Sequence, residues 1–150
     1  MTDIRFYHLT RLSLEQVLPE LLEKTVERHW KAVVMVETPE RAEALTHHLW
    51  TYRPDHFLPH GNIKDGHADH QPIWLTSLDE RPNDASVLFL ANGAQSNRLN
   101  EYERVCDIFD GNDHQALIAA RQRWLSYKAS DHTLSYWQQG ERGWQNTTPG

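Results

Sequence analysis

Apolar residues recur along the chain with two different periods, and these periods predict alternating strands and helices. Residues 4–9 alternate between apolar and polar side chains, which is typical of a strand with one buried face. Over residues 14–26 the apolar positions recur every three or four residues, which predicts a helix. Ser13 and Gln16 form a capping-box pattern at its start. Pro19 falls inside the pattern, so the helix either bends at this residue or begins there.

The remainder of the chain continues this alternation. The apolar run at residues 32–36 predicts a strand buried on both faces, as in a parallel sheet. Thr38 followed by Pro39 is a strong helix start, and that helix is predicted to extend to Trp50. Further elements are predicted as strands at 73–75, 87–90 and 104–109, as helices at 98–103 and 114–129, and as a short strand or an extended tail at 133–137. This order predicts one α/β domain over residues 1–150, a three-layer sandwich with a mostly parallel central sheet.

Motifs that bind phosphate or supply a nucleophile are missing from this predicted fold. Neither G-x-G-x-x-G nor G-x-x-x-x-G-K-[ST] occurs in the chain, and G-x-S-x-G is absent as well. We therefore expect a Rossmann-like sandwich that lacks a phosphate-binding glycine loop. Such a scaffold does not imply an activity, and we expect a non-catalytic chain with no catalytic residues and no cofactor.

The charge balance limits the partners that the chain can bind. The 150 residues include 15 Lys and Arg against 21 Asp and Glu, for a net charge of −6 with neutral His. An acidic protein is a poor candidate for wrapping nucleic acid, so we expect any such contact to be local or indirect. Direct binding of a single strand by Trp and Arg stacking is an alternative that this charge disfavours.

Cys106 is the only cysteine, and it lies in an apolar run. It cannot form an internal disulfide and is expected to be buried, which fits a reducing cytosol. The first residues lack a basic segment followed by an apolar one, and no apolar stretch approaches roughly 18 residues. We expect no signal peptide, no membrane span and a cytoplasmic location.

The predicted last helix carries the most informative pattern, in a segment with three cations and no acid at 114–130. One stripe of this helix, at i, i+4, i+7 and i+11, consists of Leu117, Arg121, Trp124 and Lys128. A guanidinium, an indole and an ammonium in one row suit a partner with a carboxylate next to an aromatic ring. The opposite side, with Ile118, Leu125 and Ala129, is expected to be buried. The same charges also fit an ordinary solvated face.

Six tryptophans are a high number for a chain of this length. Trp30, at the end of the first helix, and Trp74, in a strand, are expected in the core. Trp124 shares its stripe with two cations and is expected at the surface. Trp50 fits the core and a surface pocket equally well.

Residues 53–71 are rich in Pro, Gly, His and Asp and are expected to form a long loop. The best candidates for metal ligands lie here, namely His60, Asp65, His67, Asp69 and His70. No C-x-x-C or H-E-x-x-H motif anchors them, so a solvated polar loop is the favoured interpretation and no metal is assigned. The alternative function is a small α/β nucleotide- or metal-binding enzyme that uses residues 53–71 as a lid.

Short segments spread over nearly the whole chain occur in the order of one known family. These segments are FYHL at 6–9, LWT at 49–51, FLPHG at 57–61, QPI at 71–73, NGA at 92–94, ERV at 103–105, DIFDG at 107–111, ARQRW at 120–124 and HTLSYWQQ at 132–139. The ordered set resembles the chi subunit of bacterial DNA polymerase III, in the version with a longer C-terminal tail.

The resemblance implies an accessory subunit of the polymerase with a Rossmann-like fold. Chi proteins link the clamp loader to single-stranded DNA-binding protein, whose acidic C-terminal tail ends in an aromatic residue and a free carboxylate. By this resemblance Arg121 is the key basic residue, Trp124 a neighbouring aromatic, Trp50 a pocket wall and Phe109 a pocket residue. Lys128 is expected to contact acidic residues of the tail.

Two further implications concern a missing lysine and a second partner. Leu117 stands where the family has a lysine, so part of the basic pocket differs in this chain. The family's second partner is the psi subunit, which joins chi to the clamp loader. The segment with Phe57 and Leu58 matches the region that contacts psi, although both residues also fit the core.

Overall fold

The computed structural model describes residues 2–52, 58–141 and 143–148, which form one seven-stranded sheet with helices on both faces. In chain order the elements are β1 (Asp3–Leu9), α1 (Leu14–Glu27), β2 (Ala32–Met35), α2 (Pro39–Thr51), β3 (Ile73–Thr76), β4 (Val87–Ala91), β5 (Arg104–Asp110), α3 (His114–Lys128), β6 (Thr133–Gly140) and β7 (Gly143–Asn146). The strand order is β3-β2-β4-β5-β1-β6-β7, and only β6 and β7 pair antiparallel. The predicted α/β sandwich with a mostly parallel sheet is confirmed.

Alternation along the central strands divides the core into two layers. In β1, Ile4 and Phe6 belong to the cluster packed against α3, whereas Tyr7 and Leu9 belong to the cluster packed against α1 and α2. The sheet therefore lies between α1 and α2 on one face and α3 on the other. Within the described ranges, no helix has the length and apolar character needed to cross a membrane.

Helix α1 continues through Pro19 instead of beginning there. The predicted capping box is present, since the Ser13 N–H donates to Gln16 Oε1 at 2.9 Å. Proline has no N–H to donate to the carbonyl four residues earlier, which belongs to Glu15. His48 Nε2, from α2, lies 2.7 Å from that carbonyl oxygen. A side chain of the neighbouring helix thus replaces the donor that Pro19 removes.

This contact predicts a difference between two adjacent histidines of α2. We expect His48→Ala to lower the free energy of unfolding by about 1 kcal/mol, because the Glu15 carbonyl loses its donor. His47→Ala is the matched control, since His47 is exposed and the same helix propensity is gained. Urea unfolding of both variants measures the difference, and equal stabilities would contradict the role assigned to His48.

Two elements differ from the predicted ones. The helix expected at 98–103 is a single 3-10 turn, Leu99–Glu101. The final strand is longer than expected and turns back into β7, which the sequence pattern did not predict. The hairpin closes at the Gly140–Gly143 pair, where Gly143 adopts a φ of 110°, a conformation that favours glycine. Strand β7 is mostly exposed, so it lacks the apolar run that would have indicated it.

Candidate functional site

Helix α3 is positioned by a capped start and a mixed inner face. Asp113 Oδ1 accepts hydrogen bonds from the backbone N–H groups of Gln115 and Ala116 at 3.0 and 3.3 Å. The residues of α3 that pack towards the sheet, or are buried there, are Leu117, Ala120, Arg123, Trp124 and Tyr127. The helix therefore presents a cation and two large aromatic rings to the core.

The prediction that Ile118, Leu125 and Ala129 form the buried side of this helix is wrong. Ile118 and Leu125 are 41% and 67% exposed, and Ala129 is exposed too. Arg123 is buried instead, and its Nε and Nη2 donate to Asp107 Oδ2 and Oδ1 at 2.7 and 2.9 Å. A bidentate bridge to a strand carboxylate allows the helix to bury a guanidinium in place of an apolar side chain.

Arg121 is exposed on α3, and its charge affects the pKa values of two side chains of the sheet. His8 Nδ1, in β1, lies 2.7 Å from the Tyr136 hydroxyl, in β6. Burial lowers the pKa of His8, the Arg121 charge lowers it further, and Asp110 opposes both effects. Burial raises the pKa of Tyr136, and Arg121 opposes that shift. The exposed cation therefore lies within electrostatic reach of a hydrogen-bonded His–Tyr pair.

Gly111 fixes the place of the His8 ring beneath the loop that follows β5. A Cβ atom added at Gly111 would lie 1.8 Å from His8 Nε2, which no side chain permits without a shift. The Gly111 N–H also donates to the Leu9 carbonyl at 2.8 Å, which ties this loop to the end of β1. The glycine is required here for close approach and not for an unusual φ.

Trp124 lies half-buried in an aromatic cluster beside Arg121. Its ring centroid is 5.3 Å from that of Phe6 and 5.8 Å from that of Tyr136, both in edge-to-face geometry. Phe109 packs deeper, with 2% of its surface exposed and its ring 6.2 Å from Tyr136. Phe109 therefore supports the cluster from below, while Trp124 and Tyr136 keep part of their surface open.

The pKa of His8 reports on the charge of Arg121. We expect Arg121→Gln to raise the pKa of His8, because a positive charge that disfavours the imidazolium is removed. Lys128→Gln, which removes the same charge elsewhere on α3, should leave the His8 titration unchanged. NMR titration of the imidazole signals measures both, and an unaltered His8 pKa in Arg121→Gln would refute this placement.

Lys128 extends the surface towards the other end of α3. It is exposed in the last turn, seven residues after Arg121, which places it about 10 Å further along the helix axis. An extended peptide advances about 3.3 Å per residue, so roughly three residues span this distance. Leu117 is partly buried against the α3 core cluster and adds no charge. We call Arg121, Trp124, Tyr136 and Lys128 the α3 surface.

The structure does not bring Trp50 to the α3 surface. Trp50 is 48% exposed near the end of α2, on the opposite face of the sheet, and its ring centroid is 4.3 Å from that of His60. The expectation that Trp50 walls the same pocket as Trp124 assumed that the two helices share a face. Helix α2 packs on one face of the sheet and α3 on the other, so the sheet separates Trp50 from Trp124.

Leu58 and His60 attach the segment that follows α2 to the core. Leu58 is 3% exposed and packs in the cluster formed with α1 and α2. The two ring nitrogens of His60 lie 2.5 and 2.9 Å from the carbonyl oxygens of Leu58 and Thr46. Phe57 lies outside the described residues. The stretch next to Trp50 is thus held on the α2 side of the molecule.

The candidate metal ligands do not form a site in the described part of the chain. His60 is 4% exposed and its nitrogens already face backbone oxygens, whereas His67 and His70 are exposed. Among the described residues, no three His, Cys, Asp or Glu side chains are placed to hold a metal ion. Gly61 pairs with Trp74 as an isolated bridge, which fastens this stretch to the sheet edge.

Comparisons with known proteins agree with the resemblance that the ordered segments carry. A family model described as "DNA polymerase III chi subunit, HolC" matches residues 1–135. One curated relative, named "Probable DNA polymerase III subunit chi" and from Rickettsia prowazekii (strain Madrid E), is 28% identical over 109 residues. That match covers 73% of this chain and 66% of the relative, just under two thirds of its length. Since the family match extends over most of the chain, the chain belongs to the DNA polymerase III chi subunit family.

Proposed function

We propose that this chain is a non-catalytic accessory subunit of DNA polymerase III that binds the C-terminal tail of single-stranded DNA-binding protein on its α3 surface. The observation that carries the proposal is an exposed guanidinium, Arg121, beside a half-open aromatic cluster. The free carboxylate of the tail pairs with Arg121, and its terminal ring packs on Trp124 and Tyr136. Acidic residues further back in the tail approach Lys128.

The arrangement suits an extended acidic peptide. The described residues of α3 include no Asp or Glu, so no carboxylate of this helix repels an acidic peptide. Its length of about 10 Å matches a few peptide residues. Leu117 adds apolar contact where the family has a lysine, so Arg121 and Lys128 carry the attraction to the tail.

The second proposed contact, with the psi subunit and through it the clamp loader, lies on the other face of the sheet. We propose that the segment with Phe57 and Leu58 contacts psi, as the family resemblance implies, and the buried Leu58 holds its backbone in place. Trp50 lies beside this segment and not beside Arg121, so we assign it to the psi-facing surface. The two partners then bind opposite faces, and one chain can hold both at once.

Fluorescence anisotropy of a labelled tail peptide, titrated with the full chain, tests the tail proposal. We expect saturable binding that weakens with salt and is lost when the terminal aromatic residue is removed from the peptide. Trp50→Ala should leave this binding unchanged, because it alters the opposite face. Binding that is indifferent to the terminal residue, or absent at low salt, would refute the proposal.

A further inference from the structure

A cavity of about 230 Å³ lies on the α1 face of the sheet, across the sheet from the α3 surface. Its floor comes from β1, β4 and β5, one wall from α1 and the other wall from the β6–β7 hairpin. Four cations line it, namely Arg5, Lys24, Arg28 and Arg104. Five aromatic rings line it as well, namely Tyr7, Trp30, Phe89, Trp137 and Trp144.

The positive charge of this cavity contrasts with the acidic chain around it. Over the ranges that the structure describes, no Asp or Glu lines the cavity, although acids outnumber cations by 21 to 15 in the chain. Asp3 is outside the lining and pairs with two of the cations, with its Oδ2 3.1 Å from Arg5 Nε and 3.5 Å from Arg104 Nε. One carboxylate against four cations leaves a strongly positive wall.

Aromatic contacts hold the guanidinium groups in place. The central carbons of Arg28 and Arg104 lie 5.6 and 5.2 Å from the centre of the Trp30 ring, and that of Arg5 lies 5.8 Å from the centre of the Trp137 ring. A cation–π contact orients a guanidinium without consuming its N–H donors. The donors are therefore positioned before any anion arrives, which reduces the cost of ordering them on binding.

Arg104 adds a donor that lacks an acceptor. Its Nε is buried and makes no hydrogen bond within the described residues, although Asp3 Oδ2 lies 3.5 Å away as an ion-pair partner. Buried donors are nearly always hydrogen-bonded, so this N–H is open to an acceptor supplied by a ligand. An anionic oxygen bound in the cavity would be such an acceptor.

We propose that this cavity binds a nucleotide, with its phosphate on the cations and its base against the indole rings of Trp137 and Trp144. Guanidinium groups match phosphate oxygens bidentately, and indole faces stack on any base. The volume is below the roughly 300–1,000 Å³ of pockets that enclose drug-sized ligands, so it suits a single base with its phosphate at the mouth.

An acidic peptide fits this cavity less well than a nucleotide does. Four cations around one small cavity match the concentrated charge of a phosphate, whereas carboxylates in a peptide are spaced along the chain. The aromatic wall also comes from residues beyond the family match at 1–135, since both Trp137 and Trp144 follow it. The C-terminal hairpin thus supplies one wall of the cavity, on the face of the sheet opposite the proposed tail contact.

Titration of the full chain with three probes tests the proposal, using tryptophan fluorescence as the readout. The probes are thymidine monophosphate, oligo(dT) and inorganic phosphate. We expect saturable quenching by the two nucleotide probes and much weaker binding of phosphate alone. Equal affinity for both nucleotide probes assigns a free nucleotide as ligand, and a tighter, more salt-sensitive complex with oligo(dT) assigns a single strand.

Two variants test whether the nucleotide binds in this cavity. Lys24→Glu with Arg28→Glu should raise the dissociation constant about tenfold or more, because charge-assisted bonds to phosphate are lost. Trp144→Ala should weaken the nucleotide probes and leave phosphate unchanged. The matched control is Lys64→Glu with Arg98→Glu, which makes the same charge change at exposed sites outside the cavity and should retain binding within about twofold.

Three outcomes overturn the proposal. The first is no quenching by either nucleotide probe at low salt, and the second is equal weakening by the control pair. The third is that Lys24→Glu with Arg28→Glu abolishes binding of the tail peptide, while the unaltered chain binds no nucleotide. That result would make the cavity a peptide site. Because the tail titration is run on the same variants, failure here is distinguishable from failure of the tail proposal.

Discussion

Asp107→Ala is expected to lower the free energy of unfolding by about 3–5 kcal/mol, the typical effect of leaving one partner of a buried ion pair alone. Asp107 is 1% exposed and Arg123 is 6% exposed, so water cannot replace the missing carboxylate without opening the α3 core. Urea unfolding followed by circular dichroism measures the loss. A change below about 1 kcal/mol would mean that the bridge behaves like an exposed pair.

The buried charges of this bridge also predict which double substitution recovers the lost stability. Burial raises the pKa of Asp107, and the Arg123 guanidinium opposes that shift without cancelling it. The pair is therefore costly to desolvate even when it is intact. We expect Asp107→Leu combined with Arg123→Met to recover much of the stability lost in Asp107→Ala, because no charge remains buried. If the double variant is as unstable as Asp107→Ala, packing and not charge dominates at this position.

The predicted elements were mostly right because their signals are local. The capping box at Ser13, the Thr38-Pro39 start of α2 and the uninterrupted apolar run of β2 each depend on neighbours in the chain. The inner face of α3 was not predictable in this way. Arg123 is buried only because a strand residue 16 positions earlier, Asp107, supplies its counter-charge, and no local pattern reveals such a partner.

The candidate site was predicted in part for the same reason. Arg121, Trp124 and Lys128 lie on one helix, so their spacing alone placed them together, as the structure also does. Trp50 comes from a different helix, and its position relative to Trp124 depends on which face of the sheet each helix covers. His8 and Tyr136 were missed as members of the site because they reach it from two separate strands. The close approach of Gly111 to His8 also joins residues that are far apart in the chain, so no local pattern indicates it.

The α1-side cavity was missed because its cations come from three separate elements. Arg5 belongs to β1, Arg104 begins β5, and Lys24 lies in the last turn of α1. In the sequence each is an isolated charge, and only the parallel register of β1 with β5 and the packing of α1 against these strands bring them together. A net negative charge therefore does not describe the local field of this chain.

Arg121→Glu is expected to weaken binding of the tail peptide by roughly 10- to 150-fold, which corresponds to about 1.5–3 kcal/mol for lost charge-assisted hydrogen bonds. The introduced carboxylate also repels the acidic tail. Arg121 is exposed and does not share the buried bridge of its neighbour Arg123, so the fold should be retained. Circular dichroism and the melting temperature confirm the fold, and anisotropy with the labelled peptide measures the affinity.

Two further variants separate the geometry of Arg121 from its charge. Arg121→Lys keeps the charge but loses the bidentate fork, so we expect an intermediate loss of affinity. Lys64→Glu makes the same charge change as Arg121→Glu at an exposed site in the segment after α2, and it should leave tail binding nearly unchanged. If Lys64→Glu weakens the peptide as much as Arg121→Glu does, the attraction comes from the overall charge of the chain. If neither variant weakens it, the tail binds elsewhere and the α3 surface is not its site.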